Sequence, residues 1–443
     1  MRRMAVFWGC TIPLRFPFLE QSTRLVLPAL GIEPVDVPGF TCCPEPTLVK
    51  SVDEDVFYLT AARNLAVVEQ TGLPLLTPCN GCYSTFKSVL ADLTRDWRLR
   101  RALNLRLSAA GLEVRGDADV WHLVEWLSED LGPVALGKRI SKPFWGMRLA
   151  VHYGCHLLRP SPAVRWDSPT APSKFEQLVR ALGGTVVDYE TKMQCCGNAL
   201  DRMGDRSASL DLLRSKLADL AAQAVDALVV SCPSCFLQFD LNQATILREA
   251  MNAGIPVMYI TELIALGFGL EPRTLGLGMH RVSVEPFLHK WESKLSQRAA
   301  LSEYFDLGSL QVCAACRACD SDCPVARARP DFVPSRVLAS LLSGDLDEIL
   351  AGPEPWHCLD CMTCLERCHS RLGMAKVFEK LRRLAHERQT APAVVRSSFE
   401  NFLSTGTLGA GRTTARLKLG LPELPPNGLD SLRRILTQEK ERP

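Results

Sequence analysis

The sequence has almost no charge of one sign to spare. Its 51 lysines and arginines against 49 aspartates and glutamates leave a formal charge of +2, which gives no basic bias toward nucleic acid and no acidic tail. It has no run of about 18 uninterrupted apolar residues, so no membrane span is predicted. The start, Met1-Arg2-Arg3 and then apolar residues, resembles a secretory leader only briefly. Arg15 interrupts the apolar run and no small-residue cleavage site follows, so the expectation is a first strand and not a leader. Nor is there a stray cysteine: all 18 fall into spaced groups.

What is present is length and core. A chain of 443 residues with 47% hydrophobic content is globular and long enough for two to four domains. Eighteen cysteines without a leader suit a reducing cytosol, where such density means metal or redox chemistry more often than a disulfide framework. The spacings favour metal, which places the protein in the cytoplasm with reduced, cluster-bound thiolates.

One cysteine pattern occurs twice. The first copy is Cys10, the pair Cys42–Cys43, then Cys79 and Cys82. The second is Cys155, the pair Cys195–Cys196, then Cys232 and Cys235. The gaps are 31 and 35 residues in one copy, 39 and 35 in the other, and Val6-Phe7-Trp8-Gly9-Cys10 aligns with Val151-His152-Tyr153-Gly154-Cys155. Such self-similarity marks a duplicated unit.

Strands are predicted at 4–9, 32–37 and 73–77 in the first copy, with helices near 18–30 and 53–70 and helical material from 82 to about 131. The second copy predicts strands at 147–153, 185–189, 227–231 and 257–260. Its helices fall near 173–183 and along Leu210, Leu213, Leu217 and Leu220, which recur at helical spacing. Cysteines then sit at the C-terminal ends of strands, the edge of an open α/β sheet where cofactors gather. Residues 270–284 carry several glycines and charges and read as a linker. Residues 285–306 read as a polar helix, and the tail from 389 shows no clear periodicity, as a docking extension or a solvated tail.

The other eight cysteines form two runs. Cys313, Cys316, Cys319 and Cys323, followed by Pro324, are spaced C-x2-C-x2-C-x3-C; Cys358, Cys361, Cys364 and Cys368 repeat that spacing. In the bacterial two-cluster ferredoxin run the fourth cysteine serves the other cluster. One 4Fe–4S cubane is therefore assigned to Cys313, Cys316, Cys319 and Cys368, the other to Cys358, Cys361, Cys364 and Cys323. Three cysteines in a row suit a zinc tetrahedron poorly. A zinc-stabilised assembly protein remains the competing reading. Five cysteines per duplicated copy is one more than a cubane or a zinc site needs, and adjacent cysteines suit neighbouring irons in an opened cluster.

The two five-cysteine patterns resemble the cysteine-rich (CCG) modules in the B component of heterodisulfide reductase. The likeness extends to Gly9-Cys10, Ala61-Ala62-Arg63-Asn64-Leu65, Cys79-Asn80-Gly81-Cys82, His152-Tyr153-Gly154-Cys155-His156, Cys195-Cys196-Gly197 and the run Cys232-Pro233-Ser234-Cys235 to Asp240. It covers roughly residues 1–270, and 285–420 resemble the C component of the same enzyme. The chain thus resembles a B–C fusion. The expected fold is α/β: CCG modules at 1–145 and 146–272 with short parallel sheets. A linker and helix at 273–306, a mostly α-helical two-cluster ferredoxin-like domain at 307–388 and an extension at 389–443 complete it.

The resemblance implies an oxidoreductase. Each five-cysteine set holds a non-cubane 4Fe–4S cluster, and the two face one cavity where an organic disulfide takes one electron from each. Two cubanes feed them from a flavoprotein A-like subunit, with further electron-transfer subunits as partners. Where the family often has a glycine-rich run after Cys195-Cys196-Gly197, this chain has Asn198-Ala199-Leu200-Asp201, which changes the cavity. An electron-relay subunit of a larger, flavin-based bifurcating complex, with no disulfide of its own, is the alternative.

Outside the cysteines, His156 is a candidate proton donor to a leaving thiolate or a hydrogen-bond donor to cluster sulfur. His152, in an apolar strand, reads as a satisfied core residue. His357 and His369 read as structural, Trp8 and Tyr153 as shields over the clusters, and Arg382-Arg383 as a solvated helix face.

Overall fold

Eight short strands form two four-stranded sheets on one plan. In the first, β1 (Arg2–Val6), β2 (Ile32–Val35), β3 (Leu75–Thr77) and β4 (Val120–His122) lie in the order β2-β1-β3-β4. In the second, β5 (Arg148–His152), β6 (Thr185–Val187), β7 (Ala227–Val230) and β8 (Val257–Tyr259) lie in the order β6-β5-β7-β8. Every pairing is parallel, and Ala5, between Val35 and Leu75, matches Ala150, between Val187 and Leu228. Parallel strands require crossovers, here largely helical, that cover the sheet faces. The central strands are accordingly apolar without alternation: Met4, Ala5 and Val6 are buried, as are all four residues of β7. The computed structural model describes residues 1–250, 254–368, 373–409, 413–422, 424 and 426–439.

Local signals set the helix limits. Asp53 and Asp205 accept the N–H groups of Val56 and Ala208 and so start the helices Glu54–Thr71 and Arg206–Ala222. Gly31, at φ +92°, follows the helix Pro17–Ala29 in a left-handed turn that a side chain would oppose.

The strands are shorter than their apolar runs. β1 stops at Val6, so Phe7–Gly9 leave the sheet and carry Cys10 beyond its edge. β4 lies inside the stretch expected to be helical from 82 to 131, after helices Asn80–Arg95 and Trp97–Leu107. Three residues, Val-Trp-His, show no period; pairing with β3 makes them a strand. β4 and β8 end alike: Glu125 and Glu262 accept the backbone N–H of His122 and Tyr259 three residues earlier.

The chain comprises two compact units, Met1–Ser296 and Gln297–Pro443. In the first unit, the segment expected as a linker is packed. Leu275, Leu277, Val282 and Val284 are buried, and the Asp240 carboxylate accepts the N–H groups of Arg281 and Val282. His280 Nε2 meets Glu262 Oε1 at 2.9 Å. These apolar residues are interleaved with glycine and charge, which hides them from a periodicity argument. The helix Glu285–Tyr304 gives Phe287, Leu288 and Trp291 to the first core and Leu301 to the second.

The second unit is helical among its described residues, its core built around Leu338, Leu341, Leu346, Phe378 and Leu381. The tail, which shows no clear periodicity in the sequence, forms the helices Ala393–Thr405, Thr413–Lys418 and Leu429–Glu439. The first of these buries no residue, so it leaves no core-facing stripe to read in the sequence. No helix among the described residues is long and apolar enough to cross a membrane.

Candidate iron–sulfur centres

Each five-cysteine set is gathered by the same three devices. A left-handed glycine precedes the first cysteine: Gly9 at φ +70° and Gly154 at φ +72°. A Cβ on Gly9 would stand 3.0 Å from Cys82 Sγ, and one on Gly154 3.3 Å from Cys235 Sγ and 2.6 Å from Asn80 Nδ2. Only glycine lets the backbone pass that close to a thiol. The second device is the Cys-Cys loop, tied down from the helix that follows. Asn64 accepts from Thr41 N and donates to Cys42 O, each at 3.0 Å, while Arg63 Nη1 donates to Gly39 O. In the second copy the wholly buried Lys216 donates to Gln194 O at 3.2 Å and to Thr191 O. The third device is the C-x-x-C pair at a helix N-terminus: Cys79 with Cys82, and Cys232 with Cys235. Free first-turn N–H groups there favour thiolate.

The thiols crowd together. Cys42 Sγ is 3.5 Å from Cys10 Sγ. Hydrogen bonds from Cys42 and Cys82 push Cys43 down to about 6, while Cys43 and Cys79 push Cys82 up. In the second set Cys155 and Cys196 lower Cys195, and Cys195 raises Cys196 to about 12. Neighbours shifted in opposite directions are sharing protons. All five of a set ionise together only around positive charge, which is what metal supplies. All eighteen cysteines are outside disulfides. The donor set and the glycine-lined cradles fit an inorganic cluster.

The two sets meet. Cys79 and Cys232 lie within hydrogen-bonding reach, and Cys232 is the main cause of the rise at Cys79. Asn80 spans the seam, donating to Tyr153 O at 2.7 Å and accepting from Ser231 Oγ at 3.2 Å. Tyr259 Oη donates to Ser231 O at 3.0 Å and contacts Pro78 O. A cavity of about 60 Å³ opens beside the second set, lined by Cys155, Cys195, Cys196, Cys232, Cys235, His156, Asn198, Ala199 and Arg202, among others. Asn198 to Arg202 form a short helix, so side chains border the space. Arg202 donates to Ser234 Oγ at 3.1 Å.

Several expectations are corrected. His152 is buried but not satisfied: neither ring nitrogen has a partner. Burial pushes it down to about 3, and a ring nitrogen lies within 4.8 Å of Cys196 and Cys235 Sγ. A strand position inside an apolar run hid it. Arg382 is half-buried and not simply a solvated face: its guanidinium donates to Pro355 O at 2.8 Å and to Cys358 O, holding the start of the second run, whereas Arg383 is exposed. Trp8 donates to Asp36 at 2.8 Å beneath Arg24, whereas Tyr153 is buried edge-on to Phe175. His357 meets Arg329 at 3.0 Å and Phe332 edge-on. His369 lies outside the described residues.

In the second unit a cavity of about 30 Å³ brings Cys323 of the first run together with Cys358, Cys361 and Cys364 of the second, and with Cys319. Cys313 is raised by burial and then by Cys368 and Cys316 beside it. Arg317 and Met362, each following the second cysteine of its run, are left-handed at φ +55° and +60°. Such strain in non-glycine residues clusters at ligand-binding sites.

A model of the cysteine-rich domain matches residues 4–87 and 149–240, and a model of the 4Fe-4S dicluster domain matches 309–372. Over 292 residues, 66% of this chain and 97% of the relative, the sequence is 37% identical to the B component of the ferredoxin/F(420)H(2)-dependent CoB-CoM heterodisulfide reductase of Methanosarcina acetivorans. The chain belongs to the family of heterodisulfide reductase B components. A further 158 residues, 34% of the chain and 84% of the relative, are 34% identical to a protein of Archaeoglobus profundus that is like the C component of heterodisulfide reductase. The chain is therefore a B–C fusion, an iron–sulfur oxidoreductase with two CCG modules and a helical 4Fe–4S dicluster part. It is also 30% identical, over 62% of its length and 95% of the relative, to the 8-methylmenaquinol:fumarate reductase membrane anchor subunit of Wolinella succinogenes.

Proposed function

We propose that this B–C fusion carries electrons through two 4Fe–4S cubanes to two non-cubane 4Fe–4S clusters, which cleave an organic disulfide or form one in reverse. The cubanes are held by Cys313, Cys316, Cys319 and Cys368 and by Cys358, Cys361, Cys364 and Cys323. The non-cubane clusters are held by Cys10, Cys42, Cys43, Cys79 and Cys82 and by Cys155, Cys195, Cys196, Cys232 and Cys235. The observation that carries this reading is the meeting of the two five-cysteine sets at Cys79 and Cys232. Two one-electron donors that meet in this way suit a two-electron bond cleavage.

The overall step balances as RSSR′ plus two electrons and two protons giving RSH and R′SH. When bound, each cluster supplies one electron and a site for one sulfur. The protein's own residues do the rest. Asn80 and Tyr259 fix the two sets against each other across the seam. His156, on the cavity wall, delivers a proton to the departing thiolate. A flavoprotein A-like subunit supplies electrons within a larger cytoplasmic complex.

A second reading is an electron-relay subunit without a disulfide substrate. It is favoured by the fumarate reductase relative and by the side chains of Asn198, Ala199 and Arg202 that border the cavity. Anaerobic protein assayed with reduced viologen and a panel of organic disulfides separates the two. Thiol release and a spectral change on adding a disulfide support the first. Inertness to every disulfide, together with co-purification of a separate catalytic subunit, selects the second.

A further inference from the structure

The His152 ring is 1% exposed, and neither nitrogen is hydrogen-bonded. A buried imidazole must keep at least one N–H, and a donor left bare inside a protein is costly. Phe239 stands edge-on to the ring at 4.8 Å, and a ring nitrogen lies within 4.8 Å of both Cys196 and Cys235 Sγ. The unmet donor is thus at the second cysteine set.

The duplication supplies its own control. Phe7 occupies the position of His152 in the first copy. It is equally buried and packs edge-on against Phe40 and Phe86 at 5.0 and 4.8 Å, with no donor to offer. A second asymmetry has the same sign. Sixteen residues before each C-x-x-C pair stands a cation, Arg63 in the first copy and Lys216 in the second. Both tether their Cys-Cys loops, but Arg63 is half-buried whereas Lys216 is 0% exposed. Lys216, which ties down the second Cys-Cys loop, is therefore a positive charge shielded from water.

We propose that the two five-cysteine centres are unequal, and that His152 sets the difference by donating a ring N–H to sulfur of the second centre, which is thereby the more easily reduced. This rests on the reading above, in which both sets hold iron–sulfur clusters. An added electron places negative charge on cluster and ligand sulfur. A donor aimed at that sulfur stabilises the reduced form more than the oxidised one, and the dry surroundings enlarge the effect. Lys216 acts in the same direction. An electron entering the paired site settles first on the second-copy centre.

The test is a potentiometric titration of the full-length protein, purified without oxygen and followed by EPR and absorbance. The signal lost in Cys195→Ser marks the second centre. In the wild type the two midpoints are expected to differ by at least about tenfold in the electron-exchange constant, about 59 mV for one electron. His152→Phe, which copies the first module, lowers the higher midpoint by about that amount and leaves the other in place. His152→Gln, which keeps an N–H, restores part of the shift, and iron content is unchanged in both.

Midpoints unaffected by His152→Phe overturn the proposal. So does loss of the second centre's iron in both variants, which would make His152 a ligand. Should neither variant fold, Phe7→His is expected to raise the lower midpoint, and no change there contradicts the proposal. A wild-type protein with no iron in either five-cysteine set would sink the underlying reading first, and this proposal with it.

Discussion

Cys79 and Cys232, one from each copy of the repeat, face each other across the seam between two parallel sheets. Each caps a helix that follows a strand, Cys79 before Asn80–Arg95 and Cys232 before Pro233–Phe236. The seam is held by Asn80, 2% exposed, which bonds Tyr153 O and Ser231 Oγ. Asn80→Leu leaves a buried carbonyl and hydroxyl without partners. The expected loss is about 1–3 kcal/mol of unfolding free energy, measured by urea denaturation. A neutral result would mean that the two modules do not depend on this contact.

The ferredoxin-like part predicts an exchange of ligands between its runs. Cys323→Ser is expected to alter the EPR signal of the cubane proposed at Cys358, Cys361 and Cys364, whose cavity it shares. Cys368→Ser is expected to alter the other. If Cys323→Ser instead perturbs the same signal as Cys313→Ser, each run serves its own cluster.

His156 borders the cavity beside Cys155. His156→Gln is expected to lower kcat for viologen-linked disulfide reduction by about 10²–10⁴, with iron content unchanged. Retention of full kcat would remove His156 from the proton path.

His122 gives a pH signature. It is 0% exposed, its Nδ1 accepts from Val124 N, and burial pushes it down to about 3 from an ordinary value of 6.5. The unfolded chain therefore takes up a proton that the folded chain refuses. The stability held by this group is fully present above about 6.5 and is lost as pH falls toward 3, at up to about 1.4 kcal/mol per pH unit. His122→Asn, whose carbonyl still accepts from Val124 N, should flatten that slope in urea titrations between pH 7 and 5.5. An equal slope in both proteins would place the proton elsewhere.

Much of the molecule was legible in the sequence because its ligands come in fixed spacings. The equal 35-residue gaps revealed the duplication, and short, largely apolar runs marked seven of the eight strands. β4 was hidden because three residues carry no period and owe their conformation to β3. The packing of 273–284 was hidden because its anchors, Asp240 and Glu262, lie on other elements. His152 and Arg382 were misjudged for one reason: strand and helix patterns report which face is buried, not which polar atoms are met there. The capacity of Asn80 and Tyr259 to join the modules is likewise a property of the assembled seam.

The central claim is that these thiols grip iron and sulfide in four clusters, two of which share a chamber that reacts with a disulfide. Iron and acid-labile sulfide analysis of anaerobically prepared protein, with its spectrum recorded before and after adding an organic disulfide, tests it most directly. The account predicts about 16 iron per chain, matched by sulfide, and a spectral change on mixing. Near-zero iron with stoichiometric zinc would contradict it.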